Sequence, residues 1–286
     1  MTDVRVIVGY ALRESLRRKV FLIVLLLSGG FLALYGIGVW RAFRDTQAFV
    51  SPDQLGLDPT VVTGATLLGL AMFATLFLGT VLAIFLTLGV VRGDAERGLL
   101  QPLVVRPVGR TTLLVARFVA AAVVCAVYVA VLFAAETVIT GLIGDWWPDH
   151  VVLAGGELAF AVGVVVALSL LGSVFLSSTA NGIAVFMVFG GGLVAGLLAQ
   201  IGRAIGSDTL RSIGRWASWA LPFEALYQDS LHLITSGTTG FARFALELGP
   251  FGGSLGGGAG VRLWAVAYLL LVGAACLVAF ARRDLP

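Results

Sequence analysis

Six apolar runs, each at least ~20 residues long, constrain this chain more than any other feature. They are Val20–Trp40, Val62–Val91, Thr112–Ile143, Val151–Leu176, Asn181–Ile201 and Val261–Phe280. A helix of that length covers the ~30 Å of hydrocarbon in a bilayer. No water reaches the backbone there, so every N–H and C=O must be satisfied within the segment, which a helix does and an open strand does not. Composition agrees. The 286 residues are 59% hydrophobic and 12% charged, with a mean hydropathy of +1.00, where a soluble domain carries about a quarter charged residues. The expected fold class is all-α integral membrane: six transmembrane helices, an N-terminal amphipathic surface helix and short re-entrant helices between the fifth and sixth spans. The whole of 1–286 is expected to form one transmembrane domain.

Arginine placement orients the spans. Arg5, Arg13, Arg17, Arg18 and Lys19 precede the first, four arginines lie between the second and third, and Arg282 and Arg283 follow the last. An even number of spans puts these three groups on one side, expected to be the cytoplasm, with both termini there. The opposite short loops carry Arg41 and Arg44 against Asp45, Asp53 and Asp58, then Asp145 and Asp149. The first run is too long for the apolar core of a cleavable signal, so it is expected to be retained as a span.

Before it, Val4, Ile7, Val8, Ala11, Leu12 and Leu16 recur at helical spacing, and Glu14 stands four residues before Arg18. That pattern predicts a helix over residues 1–19 lying on the membrane surface rather than a plain basic flank. The long segment 202–260 has an apolar, aromatic middle containing Trp216, Trp219, Pro222, Phe223, Leu226 and Tyr227. It is too short and too polar to span twice, and such aromatics favour the membrane interface. One or two short helices dipping into the outer leaflet and broken at Pro222 are expected, followed by a flexible glycine-rich connector, GPFGGSLGGGAG.

Several chemistries are excluded. A P-loop needs G-x-x-x-x-G-K-[ST], and the chain's one lysine, Lys19, is not in such a motif. Intramembrane serine protease chemistry needs a histidine within a span; His150 and His232 both fall outside. Cys125 and Cys276 each sit alone in an apolar run and read as small packing residues. No metal-ligand spacing is present, and the net charge of +3 is gathered at membrane edges rather than along a nucleic-acid-binding stripe. No catalytic residue, resident metal or cofactor is therefore expected in this chain.

Two acids in the spans stand out, because a charge at the bilayer centre costs about 3 kcal/mol. Glu136 and Glu157 are both expected in the outer parts of their spans. Each is either a polar group in a transport path or a snorkelling or paired side chain, with Arg41 or Arg262 as partner. Gly192 and Gly196 form a G-x-x-x-G that permits close helix approach, within one chain or between two.

The most distinctive gap between runs is R-GDAERGLLQPLVVRPVGR-T, residues 92–111, with Arg92, Arg97, Arg106 and Arg110 around a small apolar patch. With Arg117 it reads E-x-G-L-L-x-x-L-x-x-R-P-V-x-R-x6-R. This resembles the first cytoplasmic loop of ABC-2-type transporter permeases. ALRESLRRKVFLIVLLL resembles that family's surface helix and first span, LLGSVFLSSTANGIAV its turn between the fourth and fifth spans, ALPFEALYQDSLHLI the segment after its fifth, and AFARRDLP its terminus. Gln101–Pro102 and Ala116–Arg117 depart from the family's usual residues. The opening helix is also similar to a branch serving maturation of copper enzymes, although no Cys, His or Met cluster supports copper passing through this chain.

The resemblance implies a subunit of an ATP-driven translocase in the cytoplasmic membrane of a prokaryote, an exporter of unidentified substrate. It implies a separate ABC ATPase subunit, which holds the ATP and Mg, and a second permease copy, identical or paralogous. The ATPase contacts would be Glu96, Leu99, Leu100, Leu103, Arg106 and Arg110. Phe73, Phe77 and Phe186 would line a lipophilic path through the second and fifth spans, with Glu136 a further path residue. A scaffold or channel that uses no ATPase is the alternative; a lipid-modifying enzyme ranks behind both.

Overall fold

A computed structural model describes residues 19–49, 59–88, 110–236 and 256–282, and among these it is all-helical with no strand. The elements are α1 (Lys19–Phe49), α2 (Pro59–Thr87), α3 (Arg110–Gly144), α4 (Val151–Phe175), α5 (Ser178–Ala204), α6 (Asp208–Ala220), α7 (Pro222–Ile234) and α8 (Gly258–Ala281). All but α6 and α7 are long and apolar enough to cross a membrane, which makes six spans as the sequence predicts. At ~1.5 Å per residue, the 25 residues of α4 reach ~38 Å and the 35 of α3 ~52 Å. The longer spans therefore tilt or project beyond ~30 Å of hydrocarbon.

Several boundaries differ from expectation. The first span does not stop at Trp40: α1 continues through Arg41 and Arg44, whose guanidinium lies 5.4 Å from the Trp40 ring centroid. No Gly or Pro interrupts the chain between Trp40 and Phe49, so the helix runs on past the apolar run. The second span begins at Pro59 rather than Val62, with its expected end at Val91 outside the described residues; the fifth begins at Ser178 rather than Asn181, and the last begins at Gly258, inside the glycine-rich connector. Residues 1–18, carrying the expected surface helix, lie outside the described residues.

Packing is unequal among the spans. In α2 and α4, 61% of the apolar stretch is buried, against 17% in α1 and 22% in α8. The cause is visible in residue size. The buried faces of α2 and α4 alternate small residues (Gly64, Ala65, Gly69, Ala71 and Gly79; Ala154, Gly155 and Ala161) with large ones, so neighbouring backbones come close. Leu68, Met72 and Leu76 on α2 meet Leu132 and Phe133 on α3 and Leu158 and Val162 on α4 in one core cluster, which extends to Phe189 on α5 and to Phe223 and Leu226 on α7.

Buried hydroxyls join the spans. Ser28 and Tyr128 link α1 to α3 at 2.5 Å, Tyr35 and Thr140 link the same pair at 2.6 Å, and Thr87 and Ser169 link α2 to α4 at 2.6 Å. Asn181 on α5 donates to the Ser169 carbonyl at 2.9 Å, across the two-residue turn between α4 and α5. Each such bond contributes about 0.6 kcal/mol inside a membrane.

Candidate functional site

The residues expected to line a path do not form one group. Phe77 on α2 stands 6.4 Å from both Phe186 and Phe189 on α5, ring centroid to centroid, and remains 43% exposed. Phe73, one turn earlier, meets Tyr227 of α7 edge-on at 6.4 Å. These rings fill the contact of α2 with α5 and α7. Glu136 lies elsewhere, fully buried at the contact of α3 with α2, where it accepts a hydrogen bond from Thr75 through Oε1; its Oε2 has no partner. Its partner is thus a threonine, not an arginine. Of the expected ATPase contacts, Glu96, Leu99, Leu100, Leu103 and Arg106 lie outside the described residues. Arg110 opens α3, and its side chain is likewise outside them.

Glu157 does find an arginine. Arg262 near the start of α8 donates through Nε to Glu157 on α4 and through Nη2 to Asp229 on α7, at 3.3 Å. Asp229 also accepts from the Gly258 backbone N–H at 3.1 Å, and Ser230 donates to the Ala154 carbonyl at 2.8 Å. A short helix outside the spans is thereby tied to two of them. Two carboxylates on one guanidinium tolerate burial because the ion pairs and the amide donor offset lost hydration.

α6 and α7 are two short helices within the segment where one or two, broken at Pro222, are expected. Leu221, whose backbone lies outside the helical region (φ −132°, ψ 74°) before a proline, separates them. Pro222 takes the first position of α7, where its missing N–H is no loss, so the expected break at proline is also a helix start. The G-x-x-x-G of α5 faces this pair within the chain. A Cβ on Gly192 would fall 2.6 Å from the Phe223 ring, and one on Gly196 would fall 2.0 Å from Glu224 Oε1. The two glycines are therefore seats for adjacent α7 side chains. A third close approach, Gly214 of α6 against Ala199 of α5, docks α6 onto the same span.

Between α5, α6, α7 and the start of α8 lies a cavity of about 370 Å³. Arg203 comes from the end of α5, Arg211 and Arg215 from one face of α6, and Glu224 and Gln228 from one face of α7. Gln228 donates to Glu224 at 3.0 Å. Burial pushes the Glu224 carboxyl up to about 7, against the Gln228 hydrogen bond and the positive charge of Arg203, which pull it down. Sequence alone gives these residues no role, because arginines in a long loop carry little weight for orientation. The signal that finds them is the pair of four-residue spacings, Arg211 to Arg215 and Glu224 to Gln228, on either side of Leu221.

Among the described residues no group of three or more His, Cys, Asp or Glu side chains converges as a metal site would. The six spans, with charge gathered at their ends, define an integral membrane protein of the multi-span permease class. Residues 6–285 match the ABC-2 family transporter protein family, and the chain belongs to that family. No curated protein sequence matches it. It is accordingly a transmembrane subunit of an ABC transporter. Membrane subunits of this family work with ABC ATPase partners, commonly as dimers, and are generally not catalytic themselves.

Proposed function

We propose that the chain is the membrane subunit of an ATP-driven exporter, with both termini in the cytoplasm of a prokaryote and residues 92–111 docking on a separate ATPase subunit. The observation that carries the reading is family membership over nearly the whole chain, joined to a sequence with no P-loop of its own. Leu99, Leu100 and Leu103 supply apolar contacts to the ATPase, and Glu96, Arg106 and Arg110 the polar ones. ATP and Mg belong to that partner. A second permease copy closes the exposed side of α2 and α5, where the half-exposed Phe77 beside Phe186 supports a lipophilic path, with Phe73 next along α2. Glu136 is set behind this face, at the α2–α3 contact.

Purification of the tagged chain in mild detergent tests the assignment. A stoichiometric P-loop subunit should accompany the wild type and be lost from the double variant Leu103→Glu, Arg106→Glu, while the variant still inserts. Undiminished association in the variant would sink the docking role. Absence of any ATPase, even after crosslinking through a cysteine at position 103, would favour a scaffold or channel.

A further inference from the structure

The cavity between α5, α6 and α7 has a chemistry that the transport reading does not use. Among the described residues, three guanidiniums line it, against one carboxylate. Arg215 makes no hydrogen bond or ion pair with another described residue through its side chain. Arg211 reaches the Gly202 carbonyl at 3.3 Å and Asp208 at 3.4 Å, and Asp208 is almost wholly exposed, so that pairing is readily exchanged. The acceptor side is equally specific. Gln228 uses its amide N–H on Glu224, which leaves Gln228 Oε1 buried with no donor. An orphaned buried acceptor beside a carboxylate asks for a ligand hydroxyl. The volume would hold on the order of ten waters at ~30 Å³ each, so a phosphate together with a short polyol fits.

Position narrows the source. Arg203 closes the α5 span, and Gly256, Gly257 and Val261 bracket the start of the α8 span, so the cavity sits where two spans leave the hydrocarbon. In a bilayer that is the headgroup layer. The other face of α6 exposes Ile213, Trp216 and Trp219, aromatic and aliphatic groups suited to the same depth. Trp219 packs on Trp264 of α8 at 5.0 Å between ring centroids, and its carbonyl accepts from Trp264 Nε1 at 2.9 Å, which holds α6 over the cavity.

We propose that this cavity binds the headgroup of an anionic phospholipid bearing free hydroxyls, its phosphate on Arg203, Arg211 and Arg215 and a hydroxyl donated to Gln228 Oε1. Guanidiniums suit this role because their donors match two phosphate oxygens at once. The site needs neither the ATPase nor the second copy, so it stands or falls separately from the coupling role of residues 92–111.

The test is lipid binding to the purified full-length chain by native mass spectrometry in detergent. Phosphatidylglycerol is compared with phosphatidylcholine, and soluble glycerol 3-phosphate is added as competitor. Arg215→Gln is the first variant, since Arg215 is exposed and its side chain bonds to no other described residue; Gln228→Leu is the second. The expected result is preferential binding of phosphatidylglycerol, weakened roughly tenfold or more by Arg215→Gln and also by Gln228→Leu, with little competition from glycerol 3-phosphate. Equal binding of the two lipids, or wild-type phosphatidylglycerol binding by both variants, would overturn the site. Glycerol 3-phosphate competing as well as the lipid does would overturn the headgroup in favour of a soluble polyol phosphate.

Discussion

α6 and α7 have 13 residues each and are separated by Leu221 alone, yet they have opposite places in the molecule. α6 buries only Gly214, whereas α7 buries nine residues, from Pro222 to Ile234. The difference starts in the sequence. α6 (DTLRSIGRWASWA) mixes arginines and serines with tryptophans, so it has one polar and one aromatic face and no side able to enter a core. α7 (PFEALYQDSLHLI) places Phe223, Leu226, Tyr227, Leu231 and Ile234 along one apolar stripe. The polar residues left on α7 are taken up by specific partners: Asp229 by Arg262, Ser230 by a backbone carbonyl, Glu224 by Gln228. A short helix is thus made part of the bundle when its apolar stripe enters the core and its buried charges find partners, with Gln228 Oε1 alone among these groups left open to the cavity. Its neighbour, lacking the apolar stripe, is held on α5 by close approaches at Gly202 and Gly214 and by the Arg211 bond to the Gly202 carbonyl, and on α8 by its tryptophan.

The largest test of this contrast is truncation of an aromatic on each helix. Phe223 is fully buried, stacked on Phe189 at 5.5 Å and seated over Gly192. Phe223→Ala should cost about 3–5 kcal/mol. Trp216, 76% exposed on α6, should change stability by no more than about 0.5 kcal/mol when replaced by Ala. Thermal unfolding in one detergent compares the two. Similar losses would mean that α6 is as much a part of the core as α7.

Next in size is the clamp on α7. Arg262→Met removes the cation shared by Glu157 and Asp229, whose side chains are only 4% and 2% exposed. Leaving buried carboxylates unpaired should destabilise by about 3 kcal/mol. Part of the loss should return when Glu157→Gln and Asp229→Asn are added, because neutral amides lack the uncompensated charge. If the triple variant is no better than Arg262→Met, the arginine acts through its packing rather than its charge.

How much of this was legible beforehand depends on range. The spans and the all-helical fold follow from run length alone, because the bilayer leaves the backbone no alternative. The Glu157–Arg262 partnership is among the pairings the sequence suggests, since the arginines gather on the expected cytoplasmic side and few are left near the outer span ends. Thr75 as the partner of Glu136 was not: threonines are common along α2, and only the rotation of α2 against α3 selects one. The cavity escaped because its walls come from helices whose relative packing is set by Gly192, Gly196 and Gly214, and a glycine pattern states that backbones approach without stating which.

The smallest effect reads most directly on whether α6 stays closed over α7. The Glu224 carboxyl is held near 7 by burial, above the 4.5 of the free side chain, with Arg203 on α5 and Arg211 and Arg215 on α6 facing it across the cavity. The folded state therefore binds this proton more tightly than the unfolded chain does. The associated stability is complete below pH 4.5 and is lost as pH rises through 7, a difference on the order of 3 kcal/mol at most. Glu224→Gln keeps the shape and removes the titration. The thermal midpoint of the wild type, measured against this variant from pH 5 to pH 8, should fall progressively relative to it. Parallel curves would show that water already reaches the carboxylate, as it would if α6 swung away from α5 and opened the cavity. In that case the contrast between the helices would be one of motion as well as burial: α7 fixed in the bundle, and α6 a flap whose arginines meet the cavity only part of the time.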